Sequence, residues 1–403
     1  MTRGYRAGGW VTSALAVWLL GVAALLGARG QETSVSDRSQ FPSEIVLQPE
    51  TVADELEHSD RVAEPPPGPF LKEPGLSANH ISRGVLHFGK DTNNAFALIW
   101  DQPKHKLSLD LNHNLDLTDD PGGVFTSTNK GDSQRFLNVT LPLRTQAGLH
   151  PARLDLEMFV IDQAKGTLVR LASRTLWQAR VANKGEDWQV AVVDRLLDTM
   201  EPTAGKFLLV RPWSAHTNRV DVNTTMWGAV PVPEQLFWLG KAFRLERRFE
   251  AAGDGTVCKL ALTPQQPPLA ALKLSGDFLS YAMLQATNGY TLVLPGPAAT
   301  WDVPQGVYAV RSVWLKRGAA EAFRRDYTPL SIDATSATNL VLGGPLTNTV
   351  GMQRYGRRLL VGHLVKGADG AEYRLVQDGW KPWPEFAVYH GGKKVFTGKF
   401  QPG

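Results

Sequence analysis

The chain has 403 residues, with 43 Lys and Arg against 39 Asp and Glu for a formal charge of +4, and a single cysteine, Cys258. One cysteine excludes an intramolecular disulfide framework, so the fold must rest on its core or on a metal. The near-balance of charge carries no global signature of nucleic-acid binding, and the length allows two or three domains.

The chain opens on "MTRGYRAGGW", with two arginines and no acid, followed by the uncharged apolar run "VTSALAVWLLGVAALLGA". That order predicts a signal peptide over residues 1–30, cut after Gly30 because Ala28 and Gly30 give a small-x-small pattern. An uncleaved anchor competes, since the run is near the ~18 residues that span a bilayer. No cysteine stands near the cut to carry a lipid. The expected location is exported: periplasm, cell surface or extracellular medium, with no membrane span after cleavage.

Removing Arg3, Arg6 and Arg29 with the signal leaves +1 on the mature chain. Residues 32–75 hold ten Asp and Glu against three Lys and Arg, a net of −7 that leaves +8 on residues 76–403. The segment ends in the proline cluster "AEPPPGPF" and is poor in aromatics, which predicts a disordered acidic tether over 31–75, dispensable for folding, with a resistant core from near Ile81. A mildly cationic globule behind such a tether suits envelope components or an acidic glycan at low salt, or no partner at all.

From Ile81 the texture changes to short apolar runs punctuated by Gly, Pro, Asn and Asp. In "KLSLDLN", Leu107, Leu109 and Leu111 share one face while Ser108, Asp110 and Asn112 share the other, the period of a half-buried strand. "FLNVTLPL", "RLDLEMFVID", "WQVAVVD" and "KAFRLERRF" repeat it, predicting a β-rich domain over 76–250. A second unit over 251–333 takes strands at "TVCKLALTP", "SYAMLQA", "YTLVLPG" and "VPQGVYAVRSVWL". A third over 334–403 ends in "YHGGKKV", a hairpin turn. Helix is scarce: "AAEAFRRD" is the foremost short candidate, and "SEIVLQPETVADELEH" in the tether is a second that Pro49 interrupts. The expected class is mainly β: two or three antiparallel sandwiches of immunoglobulin or transthyretin type behind the signal and tether.

The strand running into "DLNHNLDLTDD", the "FWLGKAFRLE" segment, the "VPQGVYAV" strand and the terminal "GGPLTN…PEFAVYHGGKKVFTGKF" together resemble exported proteins of planctomycete- and verrucomicrobium-like bacteria over most of residues 80–403. The resemblance implies β domains carrying an Asp-x-Asn-x-Asp-Gly loop of EF-hand or dockerin sort, and brings no reaction with it.

Calcium wants six to eight oxygens, placed in an EF-hand loop at positions 1, 3, 5, 7, 9 and 12, with glycine at 6. With Asp110 at position 1, Asn112, Asn114, Asp116 and Thr118 fall at 3, 5, 7 and 9. The closing carboxylate must come from Asp119 or Asp120, because Pro121 occupies position 12. Leu115 stands at position 6, where a side chain is penalised in the left-handed conformation the turn requires. The candidate calcium ligands are Asp110, Asn112, Asn114, Asp116 and Asp120. The competing reading is a set of Asx turns, the side chains bonding their own backbone.

No catalytic motif is present: no Gly-x-Ser-x-Gly, His-Glu-x-x-His, Cys-x-x-Cys or phosphate loop. His80 and His87 are seven apart and face opposite ways on one strand, and Ser214 with His216 lacks an acid and an oxyanion hole. "GWKPWPEF" sets Trp380 and Trp383 in a Pro-flanked loop, where they either stack on sugar rings or cap the end of a sandwich. Two functions follow. One is a non-catalytic exported β-sandwich protein with a structural or surface-interaction role, stabilised by calcium at the 110–120 loop. The other is a carbohydrate-binding or carbohydrate-active protein using Trp380 and Trp383 as platforms.

Overall fold

Strands carry the fold, as the alternating runs require, and the sheets they form are mostly antiparallel. The computed structural model describes residues 41–399 apart from 53–57, 90, 146, 163–165, 184, 195–205, 214–227, 254, 298–299, 319, 326–327, 357 and 377–384. The signal expected over residues 1–30 lies outside the described residues, as do Trp380, Trp383, Ser214 and His216. Among the described residues no helix is long and apolar enough to cross a membrane.

Two four-stranded sheets face each other over residues 58–173. One orders His58–Ala63, Gly166–Ser173, Gly148–Asp162 and Gln134–Thr145; the other orders Ile81–His87, Ala95–Asp101, Lys106–Leu109 and Val124–Thr126. Phe96, Leu98, Trp100, Leu107 and Leu109 from the second meet Phe136, Leu141, Leu154 and Met158 from the first in one core. This sandwich is an insertion. The strand before it, Glu44–Thr51, and the strand after it, Thr175–Asn183, pair with each other in a much larger sheet.

That sheet runs from Ala229–Pro231 through Lys206–Pro212, Glu186–Asp194, Thr175–Asn183, Glu44–Thr51, Gly255–Gln265, Lys241–Ala252, Gln235–Trp238, Tyr290–Pro295 and Leu279–Ala286, then onward to Thr347–Tyr355. It curls until Lys206–Pro212 packs against Leu279–Ala286 and Tyr290–Pro295. Leu47, Trp177, Trp188, Trp238, Phe243, Tyr281 and Trp314 fill the inside of the curl. The opposite face of Leu279–Ala286 and Tyr290–Pro295 is also covered. There Leu284, Leu292 and Leu294 pack with Leu272 and Val303 of a three-stranded sheet formed by Thr300–Pro304, Leu269–Ser275 and Thr338–Val341. Burial on both faces explains why "SYAMLQA" and "YTLVLPG" read as continuous apolar runs.

Three expectations are corrected. The boundary at 250/251 does not hold, because Lys241–Ala252 pairs with Gly255–Gln265 along its whole length and both belong to the large sheet. "AAEAFRRD" is not helical where it is described: Ala320–Arg324 is a strand zipped between Gly306–Arg317 and Glu372–Val376. Tertiary pairing and the burial of Ala322 and Phe323 override the helix propensity of its alanines.

The disordered tether is the largest correction. Glu44–Thr51 is an interior strand with partners on both edges and with Ile45 and Leu47 in the core. Three of the acids that suggested disorder find cations within the chain. Glu44 pairs with Arg248 at 2.8 Å and Lys259 at 3.4 Å, Asp60 with Arg170 at 2.9 Å, and Glu73 with Arg83 at 2.6 Å. Part of the charge asymmetry of the sequence is thus an intramolecular match between described acids of this segment and basic side chains of the strands beside them. Limited proteolysis is accordingly expected to leave a resistant core that begins before Glu44. A resistant core starting near Ile81, with undiminished cooperativity of unfolding, would contradict the strand assignment.

Candidate functional site

Lys106–Leu109 and Val124–Thr126 are neighbouring antiparallel strands, and the opening "DLNHNLDLTDD" stretch is the long connection between them. Leu107 and Leu109 are buried as the alternation predicted, but so are Ser108 and Asp110, at 5% and 1% exposure, because the strand end is covered on both sides. Asp110 donates its backbone N–H to Ala97 O at 2.9 Å and turns its carboxylate into the loop. There Oδ1 accepts from Asn114 N at 3.2 Å and Oδ2 from Leu115 N at 2.9 Å.

The remaining side chains form a ladder of Asx turns. Asn112 Oδ1 accepts from Asn114 N at 3.0 Å, Asn114 Oδ1 from Asp116 N at 2.7 Å, and Asp116 Oδ1 from Thr118 N at 2.9 Å. The Asx-turn expectation is therefore met at positions 112, 114 and 116. Leu115 sits at φ 62°, so the left-handed turn that glycine usually makes is made here by leucine, at a cost of about 1–2 kcal/mol. A segment from the expected tether holds it in place. Leu115 O accepts from Leu71 N at 2.9 Å, Leu117 N donates to Lys72 O at 3.1 Å, and Lys72 Nζ stands 3.9 Å from Asp116. Nothing in the loop's own sequence signals this docking.

Asp119 receives both asparagine amides, Asn112 Nδ2 at 3.2 Å and Asn114 Nδ2 at 2.7 Å. Asp120 accepts from Leu111 N at 3.2 Å and is 8% exposed. Burial pushes the Asp120 carboxyl up, the Leu111 N–H opposes this, and the charges of Asp110 and Asp119 add to the rise. Asp116 is held below the usual carboxylate range by the Thr118 hydroxyl and N–H, helped by Lys72. Gly123 closes the loop, since a Cβ there would lie 2.3 Å from Leu109 O.

The structure thus brings Asp110, Asn112, Asn114 and Asp120 to one loop, adds Asp119 to them, and turns Asp116 toward Thr118 and Lys72. Among the described residues no three His, Cys, Asp or Glu side chains gather as a metal cluster. The donors present are oxygens of two asparagines and of Asp110, Asp119 and Asp120, and this is the donor chemistry of a hard cation. The tryptophans offer no platform where they are described: Trp100, Trp177, Trp188, Trp238 and Trp314 are core, and Trp213 and Trp301 are half-buried. Compared with known proteins, the chain matches no family model, no curated protein and no solved structure.

Proposed function

We propose that the protein is a non-catalytic exported β-protein with a structural or surface-interaction role, and that its 110–120 loop takes calcium. The observation that carries this reading is that one short loop collects oxygen donors linked by hydrogen bonds, with Asp119 taking the amides of Asn112 and Asn114, Asp110 the N–H groups of Asn114 and Leu115, and Asp120 that of Leu111. A divalent cation would neutralise the carboxylates of Asp110, Asp119 and Asp120. Asp110, Asn112, Asn114 and Asp120, with Asp119 beside them, would hold it, and the ion would supply charge neutralisation and a fixed loop. Missing a closing glutamate, and with asparagine at two positions, the site should bind weakly. The carbohydrate reading rests on Trp380 and Trp383 alone.

With a Kd on the order of 0.1 mM, 10 mM calcium stabilises the folded state by about 2.7 kcal/mol. For a unit of this size that is a rise of roughly 5–11 °C in Tm over the chelated protein. Asp110→Ala should remove most of the calcium-dependent rise. Identical melting curves in calcium and in chelator would leave the loop a set of Asx turns and nothing more.

A further inference from the structure

An aromatic ring left in water forgoes the free energy of its burial, so a cluster of exposed rings marks a surface that something else covers. Among the described residues the exposed aromatics are Tyr355, Tyr389 and Phe396, at 59%, 63% and 58%. All three stand on two hairpins toward the C-terminus. One joins Thr347–Tyr355 to Arg358–Lys366, and the other joins Glu385–His390 to Lys393–Lys399. Among the described residues the second pairs with no further strand, and the first meets Glu372–Val376 only at its base, through Val365 and Lys366.

The tips of the two hairpins share a composition. The first turns at Gly356, with Arg354, Tyr355 and Arg358 at the turn and the exposed Met352 and Leu360 just behind it. The second turns at Gly391 and Gly392, with Tyr389, Lys393 and Lys394 at the turn and the exposed Val395 and Phe396 behind it. Each tip thus sets a tyrosine and two large apolar side chains among cations. Among the described residues neither Lys393 nor Lys394 has an ion-pair partner, and Glu385 of the same hairpin stands at its far end, 3.1 Å from Lys399.

The apolar side chains lie on both faces of each ribbon. Leu360 opposes Gln353 and so shares the face of Tyr355, while Met352 takes the other. Val388 opposes Phe396 on one face, and Tyr389 opposes Lys394 on the other. A protein docked on one face would leave half of each set in water. A lipid interface surrounds a tip on every side: aromatic rings settle at the level of the headgroups, and lysine and arginine beside them meet anionic phosphates. We infer that these two hairpin tips seat the protein on an anionic lipid surface, their aromatic side chains entering the interface without spanning the membrane. The contact is separate from the 110–120 loop and does not depend on calcium.

The test uses the full chain in chelator, which silences the loop, sedimented with vesicles of phosphatidylcholine alone or mixed in equal parts with phosphatidylglycerol. The parent should pellet with the mixed vesicles, less so as salt rises, and far less with the neutral ones. Lys393→Gln with Lys394→Gln should weaken binding to the mixed vesicles about thirtyfold. Tyr389→Thr with Phe396→Thr, which keeps strand propensity, should weaken it about tenfold. Both double variants should melt with the parent, because all four side chains are exposed. Binding that needs the lysines but ignores Tyr389 and Phe396 would assign the tips to a polyanion such as an acidic glycan and overturn the lipid surface. A parent that stays in the supernatant, or that pellets equally with both kinds of vesicle, would overturn it too.

Discussion

Lys206→Met is expected to cost about 3–5 kcal/mol of folding stability, read as a lowered denaturant midpoint at unchanged slope. Lys206 and Asp194 are directly opposed on neighbouring strands, with Nζ 3.0 Å from Oδ2 and side-chain exposures of 0% and 1%. Both charges have left water, and the ion pair offsets part of the desolvation each one suffers. Methionine fills the stem's volume but leaves the Asp194 carboxylate buried beside a thioether. The surrounding core is no substitute for solvent: burial pushes the neighbouring Cys258 thiol up to about 12, although Arg247 and Lys206 both pull it down. Exposed pairs set the contrast. Arg244 and Glu246, each 65% exposed at 3.5 Å, should lose well under about 1 kcal/mol on a similar change. A loss that small for Lys206→Met would mean that water reaches the pair.

Much of the fold was legible because a strand covered on one face writes its period into the sequence. Gln134–Thr145 alternates buried and exposed residues almost without a break, as "FLNVTLPL" announced. The hairpin of Glu385–His390 with Lys393–Lys399 turns at Gly391 and Gly392, both at positive φ, as "YHGG" required. What the sequence concealed is long-range partnership. Whether "SEIVLQPET" is a tether or an interior strand depends on Arg248, Lys259 and a gap between Thr175–Asn183 and Gly255–Gln265, more than a hundred residues away. The insertion of residues 58–173 into the large sheet has no local signal either, since both of its flanks read as ordinary strands. At the loop, the Asx turns could be read from Asn112, Asn114 and Asp116. The left-handed Leu115 could not, because Leu71 and Lys72 hold it from outside.

Acid should weaken the fold through His150 well before it reaches the carboxylates. His150 is 2% exposed on Gly148–Asp162, its ring is 4.9 Å from that of Trp177, and among the described residues neither ring nitrogen has a hydrogen-bond partner. Burial alone drives its pKa down, from 6.5 to about 4. The folded state therefore holds the imidazole neutral where the unfolded chain would protonate it. Unfolding takes up a proton throughout that interval, so stability from this residue is complete above about pH 6.5 and is lost as pH falls toward about 4. Integrated over the interval, the loss is about 3 kcal/mol. Carboxylates held low, such as Glu73 and Asp101, begin to lose stability only near and below pH 4, beneath this window. Asp120, held high, works in the opposite direction. Denaturant midpoints at pH 7.5, 6 and 4.5 should therefore fall steadily for the parent chain and stay nearly level for His150→Phe, which keeps a ring against Trp177 but has nothing to titrate. Parallel declines in the two proteins would assign the acid sensitivity to other groups and would mean that water reaches the His150 ring.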